Sequence, residues 1–300
     1  MTSTAPVRCS AESRALGESP AGTASTVRAF VVLECPGPWG VDAVRDSRLP
    51  EDVKAHLRVL TRSGVRPLLA RRPGRQPASG TRLFASAAGT LWGATLDDVR
   101  DVLTLDLTGL RRGAVPAALT PEDDPLLLVC THGRHDACCA ERGRPLATAM
   151  HAAAPDLVWE VSHIGGDRFA PNVLVLPDGL YYGGLDPARA AAFVADHRSG
   201  LLDLDHLRGR STYGFAVQAA EIHLRRHLAD RRVSAYQLER HERREEPDGT
   251  DTTAVFEVDG RRWEVRVRSV PGPPRRLTCR AVREDAAPVH RLLEITAPTT

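Results

Sequence analysis

Hydrophobic positions along this chain come in short bursts, and their period changes from one burst to the next. Ala29-Phe30-Val31-Val32-Leu33-Glu34, entered from Arg28, is a β-type run closed by Pro36-Gly37-Pro38-Trp39-Gly40, where proline and glycine punctuate the chain. Val53, Leu57 and Leu60 then recur at helical spacing behind Pro50, a proline tolerated at a helix start. Val65 to Ala70 predicts a strand, Arg71 to Gly80 a loop of arginine, proline and glycine, and Leu83-Phe84-Ala85 a further strand. These elements make an N-terminal α/β module over 28–120, preceded by a Ser/Thr/Ala/Gly-rich segment over 1–27 that has no apolar period and predicts a disordered tail.

A second set follows the Pro-Glu-Asp-Asp-Pro linker at 121–125. Leu126 to Cys130 is apolar throughout and too short for a buried helix, so it predicts a central strand. A helix over Cys139 to Ala154 ends at Pro155, a strand covers Leu157 to Ser162, and Val173–Leu176 and Leu180–Tyr182 form a hairpin through Pro177-Asp178-Gly179. Asp186-Pro187 caps a helix reaching His197, with aspartate at the N-cap and proline at the first helical position. The order β-α-β, hairpin, α over 121–204 is that of a thioredoxin-like domain. A helix over Thr212 to Ala229 and strands over Arg232–Leu238, Ala254–Val258 and Arg261–Val267 complete a small β-rich module over 205–300. No internal repeat is evident.

Composition narrows the class. Three hundred residues exceed what one core usually serves, so two or three domains are expected. The net charge of +2 is carried almost wholly by arginine, Lys54 being the only lysine, a usage that suits a GC-rich coding sequence. No basic stretch interleaves with aromatics, so no nucleic-acid role is expected. No apolar run approaches the ~20 residues of a membrane span, and the first residues lack a signal-peptide core. The expected location is the cytoplasm, where thiols stay reduced and clustered cysteines serve as metal ligands or redox groups.

Such a cluster is present. Cys130-Thr131-His132-Gly133-Arg134-His135-Asp136-Ala137-Cys138-Cys139 is followed by His163-Ile164-Gly165-Gly166-Asp167, both segments placed just after predicted strands. Thiolates with imidazole suit zinc or an iron–sulfur cluster, whereas hard cations prefer all-oxygen cages. A thiol-based redox protein using Cys130 with Cys138 or Cys139 is an alternative, though the usual Cys-x-x-Cys at a helix start is missing. A metal-free scaffold is another. Arg134 and Arg168 are candidate partners for Asp136 and Asp167. His135, His197, His206, His223 and His227 read as surface histidines, Cys138 as a bystander or resolving thiol, and Cys9 and Cys279, the latter on a strand, as cysteines without partners.

The sequence resembles the sucrase/ferredoxin-like family. The likeness rests on Cys130-Thr131-His132-Gly133, Asp136, Cys139, Gly143 and Pro145, then Ser162-His163-Ile164-Gly165-Gly166, Phe169-Ala170 and Asn172-Val173. Pro36-Gly37-Pro38-Trp39-Gly40 and Arg208-Gly209-Arg210-Ser211 add likeness to bacterial members, and the resemblance extends over about 28–285. It implies a thioredoxin-like ferredoxin domain that passes electrons to a partner protein, with a [2Fe–2S] cluster held in fungal relatives by paired cysteines and paired histidines. Carried over by position, the thiolates are Cys130 and Cys139, and His163 is the first histidine; Cys139 fits better than Cys138 because a small residue, Ala140, follows it. The fourth position is Asp167, an uncommon ligand for such a cluster. Either Asp167 ligates, or His132 or Cys138 takes its place, or no cluster binds. His132, Cys138, Gly165, Gly166 and Arg168 then surround the ligands, with the two glycines letting backbone amides approach the cluster sulfurs. Zinc is the alternative metal. The sugar chemistry in the family's name requires a carboxylate pair at a set separation, and no such pair stands out.

Overall fold

The computed structural model describes residues 8–74 and 80–297. Among the described residues, fourteen strands form a ten-stranded mixed sheet and a separate four-stranded antiparallel sheet, with helices packed on them. The first residues differ from expectation. Residues 1–7 of the expected tail lie outside the described residues, but from Arg8 onward the segment is ordered, with helix α1 at Cys9–Ala15. Small side chains make this possible: Cys9, Ser10 and Ser13 are buried, and Arg142 donates to Ser10 Oγ at 2.8 Å. A pattern scan tuned to large apolar residues does not register such packing.

The large sheet contains a repeat that the sequence conceals. Strand β1 (Ala29–Glu34) is followed by the short helix α2 (Ala43–Asp46), helix α3 (Glu51–Arg62), β2 (Arg66–Arg71), β3 (Thr81–Ala87) and β4 (Thr90–Leu96). β2 is parallel to β1, while β3 and then β4 add antiparallel on its other side. Part of the loop expected over 71–80 lies outside the described residues. After the two-residue strand β5 (Thr120–Pro121), the same sequence of elements recurs: β6 (Leu126–Cys130), helix α4 (Ala137–Ala153), β7 (Val158–Val161), β8 (Asn172–Leu176) and β9 (Leu180–Gly183). β7 is parallel to β6, and β8 and β9 add antiparallel. Each unit closes with a helix behind its first helix: a 3₁₀ helix at Val99–Thr104 against α3, and α5 (Ala190–Arg198) against α4.

The strand order β10-β9-β8-β6-β7-β2-β1-β3-β4-β5 therefore reads the same from either end, with β10 (Leu207–Arg210) and β5 as the outer additions. The two units meet antiparallel through β2 and β7, where Ala70 pairs with Val161 and Arg71 with Glu160. Both units bury their central strands completely, which is why those strands appear as unbroken apolar runs.

Beyond β10, helix α6 (Phe215–Leu228) packs its apolar face on a sheet of β11 (Tyr236–Glu246), β12 (Gly249–Val258), β13 (Arg261–Pro271) and β14 (Pro288–Thr296). β11 runs well past Leu238 through Glu239–Glu246. This edge segment is almost entirely charged and exposed, so it carries no apolar alternation to announce it; charge on an edge strand also discourages further pairing. Among the described residues, no helix is long and apolar enough to cross a membrane.

Candidate metal centre

The C-terminal ends of the parallel strands β6 and β7 lie side by side, Cys130 opposite Val161. Loops leaving these ends converge, as they do on parallel α/β sheets generally. Asp136 caps α4 by accepting the Cys138 N–H at 2.9 Å. This starts the helix where Cys139, in its first turn, faces Cys130. Gly143 permits the close approach: a Cβ there would overlap the backbone carbonyl oxygen of Cys130.

Donor atoms of Cys130, Cys139 and His163 lie within 4.8 Å of one another, and those of His135, His163 and Asp167 form an overlapping group. The Cys139 thiol donates to Asp167 Oδ1 at 3.2 Å. His163 Nδ1 forms an ion pair with the same oxygen at 3.0 Å, and among the described residues this buried nitrogen has no hydrogen-bond partner. All four residues assigned by resemblance, Cys130, Cys139, His163 and Asp167, are thus brought together.

Their protonation follows from the contacts. The neighbouring Cys139 thiol holds the Cys130 thiol well below its ordinary range, against burial and with help from His163. The closeness of Cys130, together with burial and the neighbouring charge of Asp167, pushes the Cys139 thiol up. Burial works against a charged His163, but contacts with Asp167 and then Cys130 outweigh it and raise the imidazole to about 9. Burial likewise opposes ionisation of Asp167, and His163 more than compensates, lowering its pKa. Without metal the site is a buried set of alternating charges, which persists only because the charges are paired.

Neither expected substitute for Asp167 is available. His132 Nε2 donates to the Gly40 carbonyl at 2.8 Å and its Nδ1 accepts the His163 N–H at 3.2 Å, so both nitrogens are committed. Burial also holds this imidazole below its ordinary range and therefore neutral. Cys138, one residue from Cys139, points the opposite way, toward Cys9 and Cys279.

Arg168 does not hold Asp167: it pairs with Glu18 at 2.8 Å. Asp136 is held by backbone N–H groups of Cys138 and Cys279 rather than by Arg134. Gly165 and Gly166 have φ of 95° and 81°, which glycine adopts without penalty. Their tight turn carries the chain from His163 to Asp167, and it is braced by Arg208. This fully buried guanidinium donates to the Gly165 carbonyl and to Asn172 Oδ1, both at 2.8 Å, while Asn172 Nδ2 donates to Gly166 O. A Cβ at Gly166 would overlap the Arg208 guanidinium.

Sequence reasoning missed His135. Expected at the surface, it stacks on His163 with ring centroids 3.7 Å apart. Its position three residues after His132, at the mouth of the same loop, was the available signal. His197 is also buried, within the core beside Phe193 and Tyr182. Cys279 lies in the turn-rich connection between β13 and β14 rather than on a strand.

The N-terminal unit reaches over the site. Trp39 meets the His132 ring edge-on at 5.8 Å, donates its indole N–H to Cys35 O at 3.1 Å, and lies under the Arg71 guanidinium. A cleft of about 890 Å³ opens above His163 and His135, lined by Arg45, Arg58, Arg62 and Arg66 among others.

Two thiols, an imidazole and a carboxylate at the open end of a βαβ unit form a donor set able to hold a metal, on a mixed α/β scaffold. The chain belongs to the sucrase/ferredoxin-like family, whose model matches residues 20–209, more than half of the protein. That span covers both halves of the large sheet and stops at β10, so α6 and the four-stranded sheet fall outside it, short of the expected limit near 285. No curated protein and no solved structure matches the chain.

Proposed function

We propose that this protein carries single electrons on a [2Fe–2S] cluster held by Cys130, Cys139, His163 and Asp167. The observation behind this reading is the convergence of these four donors around a buried His163 nitrogen that has no directed partner among the described residues. When bound, such a cluster supplies one reversible electron at a potential raised by histidine ligation. The chain's own residues prepare the site. Cys130 is already disposed toward thiolate, His163 and Cys139 must each release a proton on loading, and Arg208 fixes the turn that spaces His163 from Asp167. His163 is 24% exposed and faces the arginine-lined cleft. An electron would enter or leave there, and the four arginines favour an acidic redox partner.

A second reading, one zinc ion on the same residues, is favoured by the tightness of the set, with donor separations of 3.0 and 3.2 Å around Asp167 Oδ1. Visible spectroscopy with iron and acid-labile sulfide analysis on anaerobically purified protein separates the two. Near-equal iron and sulfide, lost or shifted in His163→Ala and Asp167→Ala, supports the electron carrier. Colourless protein that loses one equivalent of zinc in Cys130→Ser supports the second reading. Absence of all three elements after reconstitution overturns both.

A further inference from the structure

Three cysteines outside the centre described above meet at one point. Cys9 in α1, Cys138 in the first turn of α4 and Cys279 in the β13–β14 connection place their sulfurs 3.8, 3.3 and 3.5 Å apart in pairs. Asp136 joins them. Its Oδ2 accepts the Cys279 N–H at 2.7 Å and lies 3.9 Å from Cys9 Sγ, and all four donor atoms fall within 4.8 Å of one another.

We propose that Cys9, Cys138 and Cys279, with Asp136 as fourth ligand, bind a zinc ion that fastens α1 and the β13–β14 connection to the start of α4. The spacing is the main argument. Thiolates about 2.3 Å from a tetrahedral zinc lie about 3.8 Å from each other, close to the triangle observed, whereas a disulfide would need one pair at about 2.05 Å and would strand the third sulfur. The chemistry agrees, since soft thiolates in a buried tetrahedral set select zinc over hard cations. Asp136 is held in place by two backbone N–H groups, the outer-shell support that ligating carboxylates receive. The site also ties down a connection that has no helix or strand of its own, alongside the ion pair of Arg275 with Glu18 at 3.0 Å.

This site is separate from the centre described above. Cys9 and Cys279 lie outside the family match, and the sulfur of Cys138 turns away from that of Cys139. Loading would release the three thiol protons to solvent, leaving three thiolates and one carboxylate around the dication.

The test uses the full chain carrying Cys130→Ser and Cys139→Ser, which disables the other centre, expressed with zinc and dialysed without chelator. One zinc per chain is expected by elemental analysis, falling to none on adding Cys279→Ser. A strong chelator should lower the melting temperature of the first protein but not of the second. As a check independent of folding in the variants, cobalt titrated into wild-type protein should give tetrahedral bands with intense thiolate charge transfer, and the part of that signal due to this site should vanish in Cys279→Ser alone. Zinc-free protein in the first background, zinc retained in Cys279→Ser, or a disulfide among Cys9, Cys138 and Cys279 in freshly reduced and re-isolated protein would each overturn the proposal.

Discussion

The two halves of the large sheet share one topology and differ in what stands at the ends of their strands. In the second half, β6 ends on Cys130, opposite Val161; in the first, the residue in the same place, opposite Ala70, is Glu34. Since Ala70 and Val161 themselves pair across the junction, the comparison is fixed residue by residue. Glu34 accepts the Arg82 N–H at 2.9 Å and serves the sheet, whereas Cys130 faces a second thiol and an imidazole. The next position is Cys35 in the first half, a buried thiol pushed up to about 11 by its surroundings, and Thr131 in the second. The scaffold alone therefore does not make the centre. The centre arises where a short loop and the close-packed Gly143 let α4 start beside its strand, while the longer Pro-Gly-Pro-Trp loop of the first half has become a cover for the other half's histidine.

The sharpest way to break this comparison is to exchange roles. Cys130→Ser should abolish metal binding at this centre, leaving only the metal held by Cys9, Cys138 and Cys279, while Glu34→Gln leaves metal content unchanged; metal analysis of both proteins decides it. Arg208 comes next. Arg208→Met leaves the Gly165 carbonyl and Asn172 without their buried charged donor, and should cost roughly 3–5 kcal/mol in chemical denaturation, with weakened metal retention.

A third test uses pH. Burial lowers His197, in α5, to about 4, below an unfolded value near 6.5. The unfolded chain therefore takes up this proton first, so the associated stability is fully present above pH 6.5 and is lost as pH falls through about 4. The total is about 3 kcal/mol. His197→Gln should remove that part of the acid sensitivity in denaturation curves taken between pH 7 and 4. The closing 3₁₀ helix of the first half carries no histidine. The smallest effect is at the cover: Trp39→Phe removes the hydrogen bond to Cys35 O and should cost about 1 kcal/mol, with metal content unchanged.

Much of this was legible in the chain. The apolar runs 29–34 and 126–130, the Pro-Asp-Gly hairpin and the Asp186 cap announced their elements, since each is decided by local chemistry. The ligand residues could be placed on loops after strands for the same reason. The repeat was not legible, because topology depends on which strands pair and not on which residues recur, and the halves share no motif at their strand ends. The meeting of Cys9, Cys138 and Cys279 was equally hidden: two of the three lie in segments without apolar period, and only the fold brings α1 and the β13–β14 connection to α4. His132 illustrates a subtler limit. Its residue type permits ligation, but both nitrogens are spent on backbone groups, one of them in the other half.

The junction between β2 and β7 is only two residue pairs long, antiparallel, and made from the same strand of each unit. Such a joint has the form of a homodimer contact, in which one edge recognises a copy of itself. Separated from its neighbour, either half would expose that edge unpaired and could satisfy it with a second identical half. The covalent link between the units settles this contest in advance: by holding the partner edge always within reach, it keeps the chain paired with itself rather than with its copies.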